Sequence, residues 1–278
     1  MAATRTATTW SGRTRLRTLA RAARRPSDSG SFLPGVFRPL EDAGIRIREG
    51  TATYIAGVPG AMKTGLTLYW VGRLGLPALY FSADSEDFEM VERAGAMMSG
   101  DTAQQVRANP GKYAETLAQL PIRFCFDDSP TYKDVELEVA AYAEMHGEFP
   151  KVIVIDNMLN LVGESEDEWA SHRDHAKVIH KLTRITKAAV IVLAHMAEDK
   201  ADPSALPQPR TKLQGKVSHL PKLIISLAFN GETLKCAAVK NRFGPGDATG
   251  KTYVELWVDP IRNTFYNSHN DFQMGRPA

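Results

Sequence analysis

The sequence predicts an α/β fold: a mainly parallel sheet with helices on both faces and an antiparallel hairpin at its carboxy-terminal edge. Three observations carry this. Short apolar runs that end in polar residues alternate with stretches of helical periodicity. Two of those runs, VIVI at 152–155 and AAVIVLA at 188–194, are apolar throughout, as strands buried on both faces are. The last three runs, LIISLAF, LKCAAVKNR and YVELWVD, follow one another with no helical stretch between them, and the turn GPGDATG separates the last two.

With 278 residues, 43% hydrophobic and 24% charged, the chain is long enough to bury a good core and divides most simply into one domain over 31–270, an arm over 1–30 and a tail over 271–278. The formal net charge of +2 neither demands nor excludes nucleic acid. Cys125 and Cys236 each lie in a strand-like apolar run and read as reduced core residues. There is no apolar stretch of membrane-spanning length and no secretory h-region, so the expectation is a soluble cytoplasmic protein without a membrane partner. The arm carries Arg5, Arg13, Arg15, Arg17, Arg21, Arg24 and Arg25 with no acid before Asp28. It reads as a disordered tail, as an organellar transit peptide, or as a basic segment for nucleic acid or a neighbouring subunit.

The segment TYIAGVPGAMKTGLTL, residues 53–68, is a strand, a glycine loop and a helix. Against the pattern G-x-x-x-x-G-K-[ST] it supplies Gly57, Lys63 and Thr64, with Val58, Pro59, Gly60 and Ala61 between and Met62 where the second glycine is expected. Such a loop turns backbone N–H groups toward an anion at a helix start, the lysine reaches the phosphates, and the hydroxyl ligates Mg²⁺. The alternative is a glycine-rich turn with an accidental Lys-Thr.

The helix over 63–74 ends at Gly75 and Pro77, and a strand over 78–82 leads into Asp84, Glu86 and Asp87 before a helix over 88–98. These acids read as helix caps, or, beside a phosphate loop, as carboxylates that orient or deprotonate water, with Asp84 and Glu86 as candidates. A strand over 122–126 and a capped helix follow, its buried face expected to hold Val135, Val139, Tyr142 and Met145. The strand over 152–155 ends in Asp156, the Walker B pattern of a carboxylate that holds Mg²⁺ through water. The acidic loop GESEDEW leads to a helix over 166–187 with Trp169, Ala176, Ile179, Leu182 and Ile185 as its core stripe. His172, His175 and His180 on that helix lack the partners of a metal site. His195 ends the next strand, either without a role or as a γ-phosphate sensor. The polar loop over 198–218 carries Arg210, Lys212 and Lys216, cations suited to DNA phosphates. Lys240 and Arg242, two apart on a strand, share a face, either as a charged edge or as cations aimed at a neighbour's nucleotide.

Taken together these motifs resemble the ATPase domain of DnaB-type replicative helicases, within the RecA-like P-loop family, over about 32–266. The lead FLPGVFRPLEDAGIRIREGTATYIAGVPGAMKT, the string FSADSED, the segment ending in KVIVIDNMLNLV and the turn VKNRFGPGDATG carry the resemblance, and His195 stands where related plasmid RepA-type helicases have histidine. The resemblance implies a RecA-like fold and ATP with Mg²⁺ held by Lys63, Thr64 and Asp156. It places the water-activating carboxylate at Asp84, with Glu86 nearby. It also implies Lys240 and Arg242 as fingers inserted in trans, and a homo-oligomeric, hexameric ring that translocates on single-stranded DNA in replication, with replication or loader proteins as further partners. Met62 and the shorter Asp84 depart from the family pattern and bear on hydrolysis rate. The resemblance includes no counterpart of the family's amino-terminal primase-interacting domain, so the expectation is a compact phage or plasmid version. A recombination or strand-annealing ATPase, and a non-hydrolysing nucleotide- and DNA-binding assembly protein, are the alternative functions.

Overall fold

In the computed structural model of the chain, residues 30–161, 168–197, 206–216 and 218–278 are described, and their strands form one sheet. In chain order these are β1 (Ala52–Gly57), β2 (Ala78–Ser82), β3 (Ile122–Cys125), β4 (Val152–Asp156), β5 (Ala189–His195), β6 (Leu223–Phe229), β7 (Thr233–Asn241), β8 (Val254–Asp259) and β9 (Thr264–Tyr266). Across the sheet the order is β3-β2-β4-β5-β1-β6-β7-β8-β9. Pairing is parallel from β3 to β6 and antiparallel from β6 to β9. Every residue of β1, β2 and β4 is buried, which requires cover on both faces and explains why these runs show no polar alternation.

The described helices are α1 (Arg38–Asp42), α2 (Lys63–Leu74), α3 (Asp87–Ser99), α4 (Ala103–Ala108), α5 (Ala114–Leu117), α6 (Tyr132–His146), α7 (Glu168–Thr186) and α8 (His269–Gln273). Thr131 and Asp134 form a capping box that starts α6, and Gly147 in the left-handed region ends it. Two residues assigned to buried stripes face solvent instead: Met145 is 74% exposed and Ile185 56% exposed. At roughly 100° per residue, each falls about 100° off the buried stripe of its helix. His146 is exposed as well, with its ring 4.4 Å from that of Tyr142, so the buried stripe of α6 ends at Tyr142, and in α7 the stripe includes buried His175 and Thr186 beside Ile179 and Leu182. His180 is exposed. The side chains of Trp169, His172 and Ala176, the acidic loop over 162–167 and the arm over 1–29 lie outside the described residues.

Helices α4 and α5 were not anticipated. Val106 of α4 and Tyr113, in the turn before α5, pack on Ala96 of α3 as a satellite core against which Leu117 of α5 leans, and Thr102 with Gln105 forms the capping box that announces α4. Strand β9 extends the antiparallel edge beyond the expected hairpin. The last residues dock on α2: the Tyr69 hydroxyl (2.7 Å) and Arg73 Nε (2.9 Å) both donate to the Ala278 carbonyl. Among the described residues no helix is long and apolar enough to cross a membrane, and both cysteines are free thiols, Cys236 buried and Cys125 half-buried.

Candidate active site

Three parallel strands deliver polar residues, and a fourth the start of the glycine loop, to one end of the sheet. Gly57 at the end of β1 is in register with His195 at the end of β5, and Ser82 at the end of β2 with Asp156 at the end of β4. The carboxyl ends of such strands are where ligands bind in open α/β sheets. The loop 57–62 leaves β1 there and starts α2. A Cβ on Gly57 would lie 2.9 Å from the Ala61 Cβ and 3.2 Å from the Leu227 carbonyl, so the position admits only glycine. Gly60 has φ +76° and open space around it. Val58 and Ala61 are buried, whereas Pro59 and Gly60 form the exposed rim.

Met62 is the N-cap of α2 with φ 60° and ψ 23°. This is the left-handed conformation that glycine adopts freely and other residues adopt at a cost of about 1–2 kcal/mol. The glycine expected at this position is therefore missing in identity but kept in backbone shape. The Met62 side chain folds over α2, its Cε 3.1 Å from the place a Cβ on Gly65 would occupy, and it packs on the core.

Lys63 turns its ammonium back onto the loop, donating to the carbonyls of Gly57 (3.2 Å) and Val58 (3.1 Å). Burial lowers its pKa from the ordinary lysine value, against the charges of Asp156 and Asp84. Asp156 is buried and accepts hydrogen bonds from the Tyr80 hydroxyl (2.9 Å) and from Thr64. Burial raises its pKa from the ordinary carboxylate value, opposed by those two bonds and by Lys63. The same burial, with the Asp156 charge, holds the Tyr80 hydroxyl well above its usual range, so it stays a donor. His195 is half-buried, and its pKa is lowered first by desolvation and then by Lys63. Asp84 acts electrostatically on Lys63, Asp156 and His195 alike. Glu86, the other carboxylate candidate, is the exposed N-cap of α3 and acts on none of the three.

Two contributors were not read from the sequence. Tyr80 is an inward-facing phenol in an apolar strand; its one signal was that a buried hydroxyl needs a partner. Asn160 Nδ2 donates to the carbonyls of Ala83 (3.1 Å) and Asp128 (3.4 Å), tying the turn that carries Asp84 to the segment after β4.

Lys240 and Arg242 lie at the other end of the sheet. Lys240 is paired with Ile224 near the start of β6, and Arg242 follows the last residue of β7. The Arg242 N–H donates to the Lys222 carbonyl and the Lys222 N–H to the Ala52 carbonyl, so Arg242 stands level with the first residue of β1, whereas the phosphate loop leaves its last. At about 3.3 Å per strand residue, roughly 16 Å separates the two levels. Lys240 Nζ donates to the carbonyls of Ser218 (2.7 Å) and His219 (3.0 Å). Arg210, assigned with Lys212 and Lys216 to DNA, lines the same recess as Lys240 and Arg242. Lys212 is half-buried, and the Lys216 side chain lies outside the described residues. The Ala197 N–H donates to the Lys212 carbonyl (2.8 Å) and Met196 bridges to Leu213, so the strand end that carries His195 is bonded to the segment that carries these cations.

No protein-family model matches the chain. It is 29% identical over 242 residues to the Gene 65 protein of Mycobacterium phage L5, covering 82% of this chain and 90% of that protein. To the Gene 65 protein of Mycobacterium phage D29 it is 30% identical over 212 residues, covering 71% and 91%. In fold it resembles a DnaB-like replicative helicase solved for its interactions with primase (TM-score 0.71, 14% identity); the likeness covers 90% of this chain but 66% of that one. It also resembles a separately solved ATPase domain (TM-score 0.70, 14% identity, 90% and 96% covered) and the RadB recombinase (TM-score 0.57, 15% identity, 85% and 100% covered). These likenesses establish a DnaB-type, RecA-like P-loop fold.

Proposed function

From a chain that belongs to the family of the mycobacteriophage Gene 65 proteins, we infer a helicase-like motor: an ATPase that translocates on single-stranded DNA and unwinds duplex as a ring of identical subunits. The observation that carries this reading is the meeting of Lys63, Thr64, Asp84, Asp156 and His195 at one end of the parallel sheet, with Lys240 and Arg242 at the other.

The residues present fit a triphosphate with Mg²⁺. Lys63 rests on carbonyls that phosphate oxygens can replace, the loop has the backbone shape of a phosphate cradle, and Thr64 is bonded to a buried carboxylate. Thr64 and Asp156 would hold the metal, which when bound neutralises charge on the phosphates. Asp84 is the carboxylate suited to orient and deprotonate water, being the one whose field reaches Lys63 and His195. His195, kept neutral by burial and Lys63, presents one N–H to a phosphate oxygen while its backbone is tied through Ala197 to the segment 210–213. That bonded path would pass the state of the nucleotide to the strand. Lys240 and Arg242 lie too far from their own loop and would serve a neighbour's nucleotide, which makes the site a property of the assembly.

Displacement of a strand from a forked duplex, with wild type beside Lys63→Ala, tests this. ATP-dependent unwinding by wild type alone is expected. Pairing of complementary strands without unwinding would instead favour a recombinase, as the likeness to RadB allows, and no ATP turnover with single-stranded DNA and Mg²⁺ would favour an assembly protein.

A further inference from the structure

Away from the phosphate loop, the described residues hold a second concentration of charge. Arg210, Lys240 and Arg242 line one recess of about 470 Å³ together with Asn241, Gly244, Gly246 and Ala248, and the charge of Lys222 also reaches Lys240. Among the described residues none of these four cations forms an ion pair. Burial, and then repulsion from Arg242, Arg210 and Lys222, push the Lys240 pKa down to about 8. Like charges gathered in a partly desolvated recess oppose one another unless an anion joins them.

The side chains are also set to receive one. Two of the three Lys240 N–H groups are held by the Ser218 and His219 carbonyls, which fixes the ammonium and leaves the third to donate. The Arg210 backbone is fixed by its N–H bond to the Ala248 carbonyl (2.9 Å). Asn241 Nδ2 donates to the carbonyls of Gly44 and Pro245, both at 3.0 Å, and so pins the turn that follows Arg242. Two guanidinium forks and an ammonium around one concavity match an oxyanion with several oxygens better than a strand of spaced phosphodiesters, which a groove would track.

We propose that this recess is a phosphate-binding half-site and that Arg210 is its third ligand, joining Lys240 and Arg242 on the terminal phosphates of a nucleotide held by a second copy of the chain rather than contacting DNA. The assignment rests on the motor reading above, in which nucleotide sits between subunits. It makes Arg210 a catalytic residue in trans. It also means that arrival of a nucleotide across the interface is felt at once by Arg210 itself and by Ser218 and His219, whose carbonyls hold Lys240.

Arg210 is exposed, so its replacement leaves the fold intact. In the protein with single-stranded DNA and Mg²⁺, Arg210→Ala should lower ATP turnover by roughly tenfold or more, a smaller loss than the roughly 10³-fold expected for the principal finger Arg242. Its affinity for a fluorescent oligonucleotide should stay within about twofold of wild type, since one non-contacting cation adds nothing to phosphate neutralisation. Mixing Arg210→Ala with Lys63→Ala should return turnover to roughly a quarter of wild type, the share of interfaces that receive an intact half from each. Strand affinity that falls with turnover, turnover equal to wild type, or a mixture no more active than its parts would each overturn the assignment. Wild type without turnover would sink the motor reading separately. The recess is then judged by a fluorescent ATP analogue on assembled protein, where affinity that depends on Arg210 supports it and affinity that does not overturns it.

Discussion

The Tyr80 hydroxyl donates to Oδ2 of Asp156 at 2.9 Å, in a part of the sheet closed to solvent. Strand β2 thereby fixes one oxygen of the carboxylate at the end of β4, and the Thr64 bond holds the same group from α2. Replacing Tyr80 by Phe keeps the ring, which lies 5.3 Å from that of Phe124, and removes one donor from a buried acceptor. Such a loss costs about 1–3 kcal/mol. Urea denaturation should show a drop of that size for Tyr80→Phe, with an unchanged m-value; a variant as stable as wild type would show that the bond is dispensable.

Met62 in the left-handed region sets a second expectation. Met62→Gly removes the strain of about 1–2 kcal/mol but also the contact over Gly65. Fluorescent-nucleotide titration should find affinity within about threefold of wild type, because the loop already has the shape a glycine would give it. Met62→Val, a β-branched residue at positive φ, should destabilise the protein by about 1–3 kcal/mol and weaken nucleotide binding. Equal binding by all three would remove backbone shape as the reason the methionine is tolerated.

Lys240 gives a pH dependence with a defined sign. A lysine whose folded pKa lies near 8, below its ordinary value, is charged below that pH and neutral above it. If its charge stabilises a neighbour's phosphate, kcat/KM for ATP should fall as pH rises through about 8, since that parameter reports the free protein. Lys240→Arg keeps its charge and should move the alkaline limb upward. A pH profile identical in the two proteins would contradict a role for that charge.

Arg242→Ala should cut turnover by about 10³-fold or more while nucleotide affinity is retained, because Arg242 stands at the end of β1 opposite the phosphate loop. Wild-type hydrolysis in that variant would exclude a trans role.

Much of the site was legible in the sequence because each piece sits at a chain-local boundary. Lys63 and Thr64 open a helix beside glycines, and Asp156 and His195 end apolar strands, so strand and helix periodicity alone locate them. Relations made by the sheet were not legible. Nothing in the string YFSADSED joins Tyr80 to Asp156, or separates Asp84, whose charge reaches Lys63, Asp156 and His195, from Glu86, which caps α3. Arg210 read as part of a polar loop, and only its backbone bond to Ala248, in the turn after β7, brings it beside Lys240. Met145 and Ile185 misled because apolar residues near the ends of amphipathic helices fit a stripe at the level of spacing while lying about 100° off it.

The most direct measurement is ATP turnover by wild type and Lys63→Ala, with and without single-stranded DNA, at equal protein and Mg²⁺ concentrations. Wild type should hydrolyse ATP faster when the strand is present, and Lys63→Ala should lose turnover in both conditions. Turnover absent from wild type, or retained in Lys63→Ala, would contradict the assignment of this loop as the site of a DNA-stimulated ATPase.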